Sequence, residues 1–185
     1  MRLLAPSLLT LGLILSIGCR QPEPESEPPA ADSDSEIRAE NTAPELVLEN
    51  VDGSGMVSLA EQRTKVVLVD LWATWCVPCI AELPHLQALS EELPDDDFLM
   101  LGIVLESGER DEIVDFLAKK EITYTQVMGR DDTAEAFGPF LGYPTKYLID
   151  RNGLVVKRYF GIIGDELADD VRTLIRTGTL EESAD

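Results

Sequence analysis

Val66-Val67-Leu68-Val69-Asp70-Leu71-Trp72-Ala73-Thr74-Trp75-Cys76-Val77-Pro78-Cys79 is the stretch that decides the fold. Its first half is an almost unbroken apolar run rich in β-branched residues, the pattern of a strand buried on both faces. Thr74-Trp75 reads as a short turn. From the cysteines onward, apolar residues recur at helical spacing to about Leu93. A Cys-x-x-Cys pair at a strand-to-helix junction is the sequence sign of a thiol–disulfide redox site. Cys76 then falls at a helix N-terminus, where unpaired N–H groups and the helix dipole stabilise a thiolate. A stabilised thiolate is the attacking sulfur. Cys79, one turn later, is within reach to close a disulfide and release a substrate. Pro78 suits the first helical turn, where no N–H is needed.

The competing reading of the pair is a metal site. Structural zinc usually takes four ligands, and the only other cysteine is Cys19 and the only histidine His85. Redox chemistry is favoured and no metal is expected. His85 lies out of helical phase with the cysteines and reads as partly exposed and not catalytic. Asp70 is an acid inside a strand that looks buried on both faces, so desolvation should raise its pKa. The alternative for Asp70 is a strand-end acid reaching solvent. Trp72 reads as packing, and Trp75 as an apolar cover beside the sulfurs.

The chain of 185 residues carries a formal net charge of −20. Such a charge opposes nucleic-acid binding and fits a solvated, acidic surface. The N-terminus sets Arg2 before a mostly apolar stretch from Leu3 to Ile17, ending Ser16-Ile17-Gly18-Cys19. That is the outline of a secretory signal over residues 1–18, and the cysteine at the cleavage point makes it similar to a bacterial lipoprotein signal with Cys19 as the lipidated residue. Ser16 stands where leucine is usual in such signals. Residues 19–42 are rich in proline, serine and acids, have little to bury and read as a disordered linker. The folded domain is expected over residues 43–178, with an acidic tail at 179–185.

Within that domain, Leu46-Val47-Leu48 and Met56-Val57-Ser58 are strand candidates around the turn Asp52-Gly53-Ser54-Gly55, and Ser58 is expected to cap a helical turn through Gln62. Strands follow at Lys65 to Ala73, Phe98 to Leu105 and Tyr124 to Met128. Helical patterns run from Cys76 to Leu93, Gly108 to Lys120, Thr133 to Phe137 and Asp165 to Arg176. Thr145 to Ile149 and Leu154 to Phe160 flank Asp150-Arg151-Asn152-Gly153, a hairpin signal. This order implies an α/β domain, a central mixed sheet with helices on both faces.

These residues resemble the thioredoxin superfamily, and within it the membrane-tethered TlpA/ResA-type thiol–disulfide oxidoreductases. The resemblance rests on Val69 to Cys79, on Glu82-Leu83-Pro84 where that branch has a kinking proline in its first helix, and on Gly142-Tyr143-Pro144-Thr145, which matches the cis-proline loop. Gly108 to Tyr124 matches the branch's helical insertion, and the first two strands form an N-terminal extension. The resemblance implies a thioredoxin-like fold and a cis peptide before Pro144. It implies a substrate face built from Trp75, Val77, Pro78, Tyr143 and Pro144, with an extended substrate segment pairing along the Tyr143 backbone. It gives Asp70 the role of accepting the proton of Cys79 as that sulfur attacks the mixed disulfide. Glu106, at the end of the next strand, resembles an acid near the active site of ResA-type proteins and is the weaker candidate, the alternative being a solvated strand-end glutamate; if it shared a cavity with Asp70 the two would titrate together.

The expected function is therefore an extracytoplasmic enzyme that reduces protein disulfides, with Cys76 as nucleophile, Cys79 as resolving sulfur and no cofactor beyond their disulfide. Oxidase or isomerase activity is the alternative within the class. A copper-binding lipoprotein of the same fold is the alternative outside it, since two thiolates suit Cu(I). The expected partners are disulfide-containing proteins, a membrane electron donor of the thiol-relay type and, through Cys19, a bacterial membrane on its periplasmic side. The chain is expected to act as a monomer.

Overall fold

The computed structural model describes residues 41–180. The signal-like segment, Cys19, the linker to residue 40 and the last five residues of the tail lie outside the described residues. Seven strands and four helices follow in order: β1 (Val47–Glu49), β2 (Met56–Ser58), β3 (Val66–Trp72), α1 (Val77–Glu92), β4 (Phe98–Val104), α2 (Arg110–Lys119), β5 (Thr125–Met128), α3 (Thr133–Ala136), β6 (Thr145–Ile149), β7 (Val155–Phe160) and α4 (Asp165–Thr177). The central sheet has the order β5-β4-β3-β6-β7. β3 runs parallel to β4, and β4 to β5, while β6 and β7 are antiparallel to their neighbours. β1 and β2 form a separate antiparallel pair.

β3 occupies the middle of the sheet, and every one of its residues is buried. Alternation along the strands divides the core. Val66, Leu68 and Trp72 join Phe98, Met100 and Val104 under Leu83, Leu86 and Leu89 of α1, Ile113 and Leu117 of α2, and Leu167, Val171 and Leu174 of α4. Val67, Val69 and Leu71 face the other way, with Leu101, Ile103 and Tyr147, toward Leu46, Leu48, Leu59, Ala134 and Phe137. Thus the three longer helices share one face. The other is covered by the β1–β2 hairpin, a 3-10 turn at Ala60–Gln62 and the short α3.

The local chemistry explains the joints. Asp150 Oδ1 accepts from the N–H groups of Asn152 and Leu154, and Gly153 takes φ 82°, which closes the β6–β7 hairpin. A reciprocal Glu109–Glu112 capping box starts α2. Arg110 at the start of that helix donates to the carbonyls of Asn50 and Val51 and pairs with Glu49, tying the insertion to the N-terminal hairpin. The expected Ser58 cap is not formed. Ser58 is still paired with Val47 in β2, so the 3-10 turn starts one residue later, with Leu59 at its N-cap and no side-chain cap bond.

Candidate active site

β3 ends at Trp72, and the chain turns through Ala73-Thr74-Trp75 with the Cys76 N–H donating to the Ala73 carbonyl. Cys76 has an extended backbone and serves as N-cap of α1, with Pro78 in the first turn. The N–H of Cys79 donates to Cys76 Sγ at 3.3 Å. The two sulfurs are joined as a disulfide. The Cys76 sulfur, at the N-cap position, thus faces a backbone N–H and the positive end of the helix dipole. Both cysteines are buried, yet their neighbours are open: Trp75 is 58 % and Val77 75 % exposed, and Pro78 is exposed.

Two loops close around the pair. Ser107 Oγ accepts from the Thr74 N–H at 2.9 Å, and the Trp75 indole N–H donates to the Glu106 carbonyl at 2.8 Å. The second loop carries a cis Tyr143–Pro144 peptide. Tyr143 meets Trp75 edge-on at 5.5 Å and Phe140 at 4.9 Å. Thr145 Oγ1 donates to the Gly142 carbonyl, and Gly142 takes φ 136°, a conformation glycine alone adopts freely. Burial, with the Glu106 charge adding to it, pushes the Tyr143 hydroxyl up to about 12. Beyond Tyr143 opens a cavity of about 610 Å³ whose lining includes Glu106, Arg130, Glu135 and Phe140.

The acids separate into two environments. Glu106 is exposed, with its backbone in the left-handed region at φ 48°. It does not share a cavity with Asp70. Asp70 is 2 % exposed and lies on the helix-bearing face of β3, where the antiparallel register sets Lys146 of β6 directly opposite. The Lys146 ammonium stands 3.6 Å from Asp70 Oδ1 and hydrogen-bonds Glu82 Oε2. Glu82 lies one helical turn after Cys79 on the buried side of α1, and its Oε1 accepts from the Ile163 N–H. Burial pushes the Asp70 carboxyl up to about 6, against the pull of Lys146 and with a further push from Glu82. The reading of Asp70 as a strand-end acid in solvent is thereby excluded.

Sequence reasoning did not single out Glu82 or Lys146. A signal existed for each. Glu82 shares a helix stripe with Cys79, Leu83 and Leu86, and Lys146 is the one charged residue in the strand Thr145–Ile149. His85 is exposed on α1. Among the described residues, no group of three or more His, Cys, Asp or Glu is placed to hold a metal ion.

Residues 39–158 match the AhpC/TSA family. The thiol–disulfide oxidoreductase ResA of Geobacillus thermodenitrificans is 32% identical over 130 residues, covering 68% of this chain and 71% of that protein. The thioredoxin-like protein YneN of Bacillus subtilis is 27% identical over 127 residues, 68% of this chain and 73% of that protein. A solved thiol:disulfide interchange protein of the thioredoxin family from Chlorobium tepidum superposes with a TM-score of 0.66 at 25% identity, over 73% of this chain and 96% of that one. The chain belongs to the AhpC/TSA family and is a thioredoxin-fold thiol–disulfide oxidoreductase of the TlpA/ResA type.

Proposed function

We propose that this oxidoreductase works outside the cytoplasm as a reductase of protein disulfides, held near a bacterial membrane by a lipid on Cys19. The observation that carries the reading is the Cys76 sulfur at the N-cap of α1, accepting the Cys79 N–H, beneath the exposed Trp75 and Val77. In the proposed cycle the Cys76 thiolate attacks one sulfur of a substrate disulfide: the Cys76–substrate bond forms, the substrate's own S–S bond breaks, and its other sulfur leaves as a thiolate. Cys79 then loses its proton to Asp70 and attacks Cys76 Sγ. The Cys76–Cys79 bond forms, the bond to the substrate breaks, and the substrate leaves as a thiolate, reduced by two electrons in all.

The substrate is proposed to lie as an extended segment along Tyr143 and Pro144, over Trp75, Val77 and Pro78. Support comes from the exposed Leu141, Phe160 and Ile162 on either side of the Pro144 loop, which give a segment apolar surface to cover. Because an oxidising compartment supplies no reducing buffer, the reduced enzyme needs a donor, and a membrane protein relaying electrons by thiol exchange fits a tethered partner.

The test is the midpoint potential of the Cys76–Cys79 couple in the purified protein, measured against dithiothreitol or glutathione buffers by counting free thiols. A value at or below about −250 mV is expected for a reductase. A value above about −180 mV would make it an oxidant or an isomerase and overturn the reductive reading.

A further inference from the structure

The ladder between β3 and β4 ends with the Leu105 N–H donating to the Trp72 carbonyl at 3.0 Å. Beyond it both chains leave the sheet, one into the turn that carries Trp75 and Cys76, the other into Glu106-Ser107-Gly108. Backbone pairing gives way there to side-chain bonds. Ser107 Oγ accepts the Thr74 N–H at 2.9 Å and donates to the Leu105 carbonyl at 2.6 Å. Thr74 Oγ1 donates back to the Ser107 carbonyl at 3.3 Å. The half-buried Ser107 hydroxyl is thus acceptor for the cysteine-bearing turn and donor to its own loop, a use of the backbone groups to which short hydroxyl side chains are suited.

Glu106 stands between the two anchored residues. Its backbone is left-handed at φ 48°, a region that side chains disfavour and that persists where flanking contacts impose it. Leu105 and Ser107, bonded on either side, are such contacts. In this conformation the Glu106 carbonyl receives the Trp75 indole N–H at 2.8 Å. The indole in turn meets the Tyr143 ring edge-on at 5.5 Å. Trp75 is more than half exposed, so burial alone does not fix its ring. The bond to Glu106 and the edge of Tyr143 tie it to the loops on either side of the cysteines.

We infer that Ser107 is a positioning residue for substrate disulfides: by holding Glu106 left-handed it aims a carbonyl at Trp75, and through Trp75 it sets where Tyr143 presents its backbone relative to Cys76. It acts on the seating of an extended segment and not on the sulfur chemistry. The part Glu106 plays in this arrangement belongs to its carbonyl. The inference deepens the substrate seating proposed above and rests on it for the part played by Tyr143. Without the Ser107 hydroxyl the Thr74 N–H loses its acceptor, and Glu106 relaxes toward an ordinary backbone. Its carbonyl then turns from the indole, and Trp75 is free to leave Tyr143.

The chain has two tryptophans, so two indole N–H groups can be compared in one spectrum. Trp72 donates to Gln126 Oε1 in the core and reports the fold, while Trp75 reports the bond to Glu106. ¹H–¹⁵N NMR spectra of the disulfide form are recorded for the parent, for Ser107→Ala and for Ser107→Thr, which keeps the hydroxyl. In parallel, each protein is reduced and then oxidised in single turnovers by a cystine peptide or by hydroxyethyl disulfide, which is too short to lie along Tyr143. In Ser107→Ala the Trp75 indole resonance should move while that of Trp72 stays. The half-saturating peptide concentration should rise about tenfold with the limiting rate little changed. The rate with hydroxyethyl disulfide should stay within about twofold, and Ser107→Thr should restore the parent values. An unmoved Trp75 resonance overturns the positioning role. A moved resonance with unchanged peptide kinetics overturns the link to substrate. Equal slowing with peptide and hydroxyethyl disulfide places the effect on Cys76 and overturns that link too. Where Ser107→Ala also shifts Trp72, Thr74→Ala, which removes only the bond to the Ser107 carbonyl, decides the matter: Trp75 moving alone supports the assignment, and Trp75 unmoved overturns it. A parent protein oxidised by hydroxyethyl disulfide but not by the cystine peptide overturns the proposed substrate class, while the indole spectra, taken without substrate, still decide what Ser107 does to Trp75.

Discussion

At the scale of single residues, Asp70 is an acid whose ionisation the fold opposes. Its carboxyl stands in the centre of the sheet, pushed up to about 6 chiefly by burial. A carboxyl whose folded pKa exceeds the ordinary value near 3.9 is more comfortable protonated in the folded state than in the unfolded one. The sign follows: its contribution is best below about pH 4, declines as pH rises from about 4 through about 6, and levels off above that. A shift of about two units corresponds to a penalty on the order of 3 kcal/mol at neutral pH. Asp70→Asn should therefore stabilise the disulfide form by roughly 1–3 kcal/mol at pH 7 and change it little at pH 4. Urea unfolding of both proteins at the two pH values measures this, with all other titrations cancelling in the difference. Equal differences at the two pH values would mean that Asp70 does not titrate as its burial requires. The same substitution should slow resolution at Cys79, so that stability and turnover move in opposite directions, as expected where a buried charge is kept for chemistry.

At the scale of elements, the tightest constraint is Gly102 in the middle of β4. It sits between Asp70 and Gln126 in register, and a Cβ there would meet Gln126 Oε1 at 2.2 Å. Gln126 cannot simply swing away, because that oxygen accepts the Trp72 indole N–H at 3.0 Å in the core. Gly102→Ala should break this bond or displace β5, costing about 1–3 kcal/mol in urea unfolding. Pairing it with Gln126→Ala should recover part of the loss, since the clash is with that side chain, and a double variant no better than the single one would refute the steric account. The glycine had no reading in the sequence, and the reason is general for this fold. Periodicity told which stretches are strands and helices: β3, α1, β4, β6 and α4 lie within a residue or two of their expected spans. It also led to Cys76, Cys79 and Asp70, whose meaning is local. Register is not local. Lys146 and Glu82 are 64 residues apart, and they meet because β6 enters antiparallel beside β3 while α1 packs over that face. Glu106, a candidate through its resemblance to an active-site acid, is exposed at a residue with a left-handed backbone that no pattern announces.

At the scale of the whole molecule, the net charge of −20 acts on encounter more than on the chemical step. The rim of the active site is apolar at Trp75 and Val77, but the cavity beside Tyr143 carries Glu106, Asp131 and Glu135 against Arg130. That arginine is itself engaged, donating to the Val47 carbonyl and lying 3.6 Å from Asp132. A disulfide flanked by basic residues should therefore be drawn toward the site and one flanked by acids repelled, with little difference once either is docked. Two cystine peptides of equal length and apolar content, one with lysines and one with glutamates around the bond, separate the effects. At about 10 mM ionic strength the lysine peptide should react on the order of tenfold faster in second-order rate. The ratio should shrink toward unity near about 1 M, where the screening length falls to about 3 Å. Adding salt should thus slow the basic peptide and speed the acidic one, and the two curves should converge from opposite sides. A ratio that persists at high salt would instead locate the preference in contacts made at the site, with Glu106 and Glu135 the first positions to substitute, and would reject steering by the molecule's overall charge.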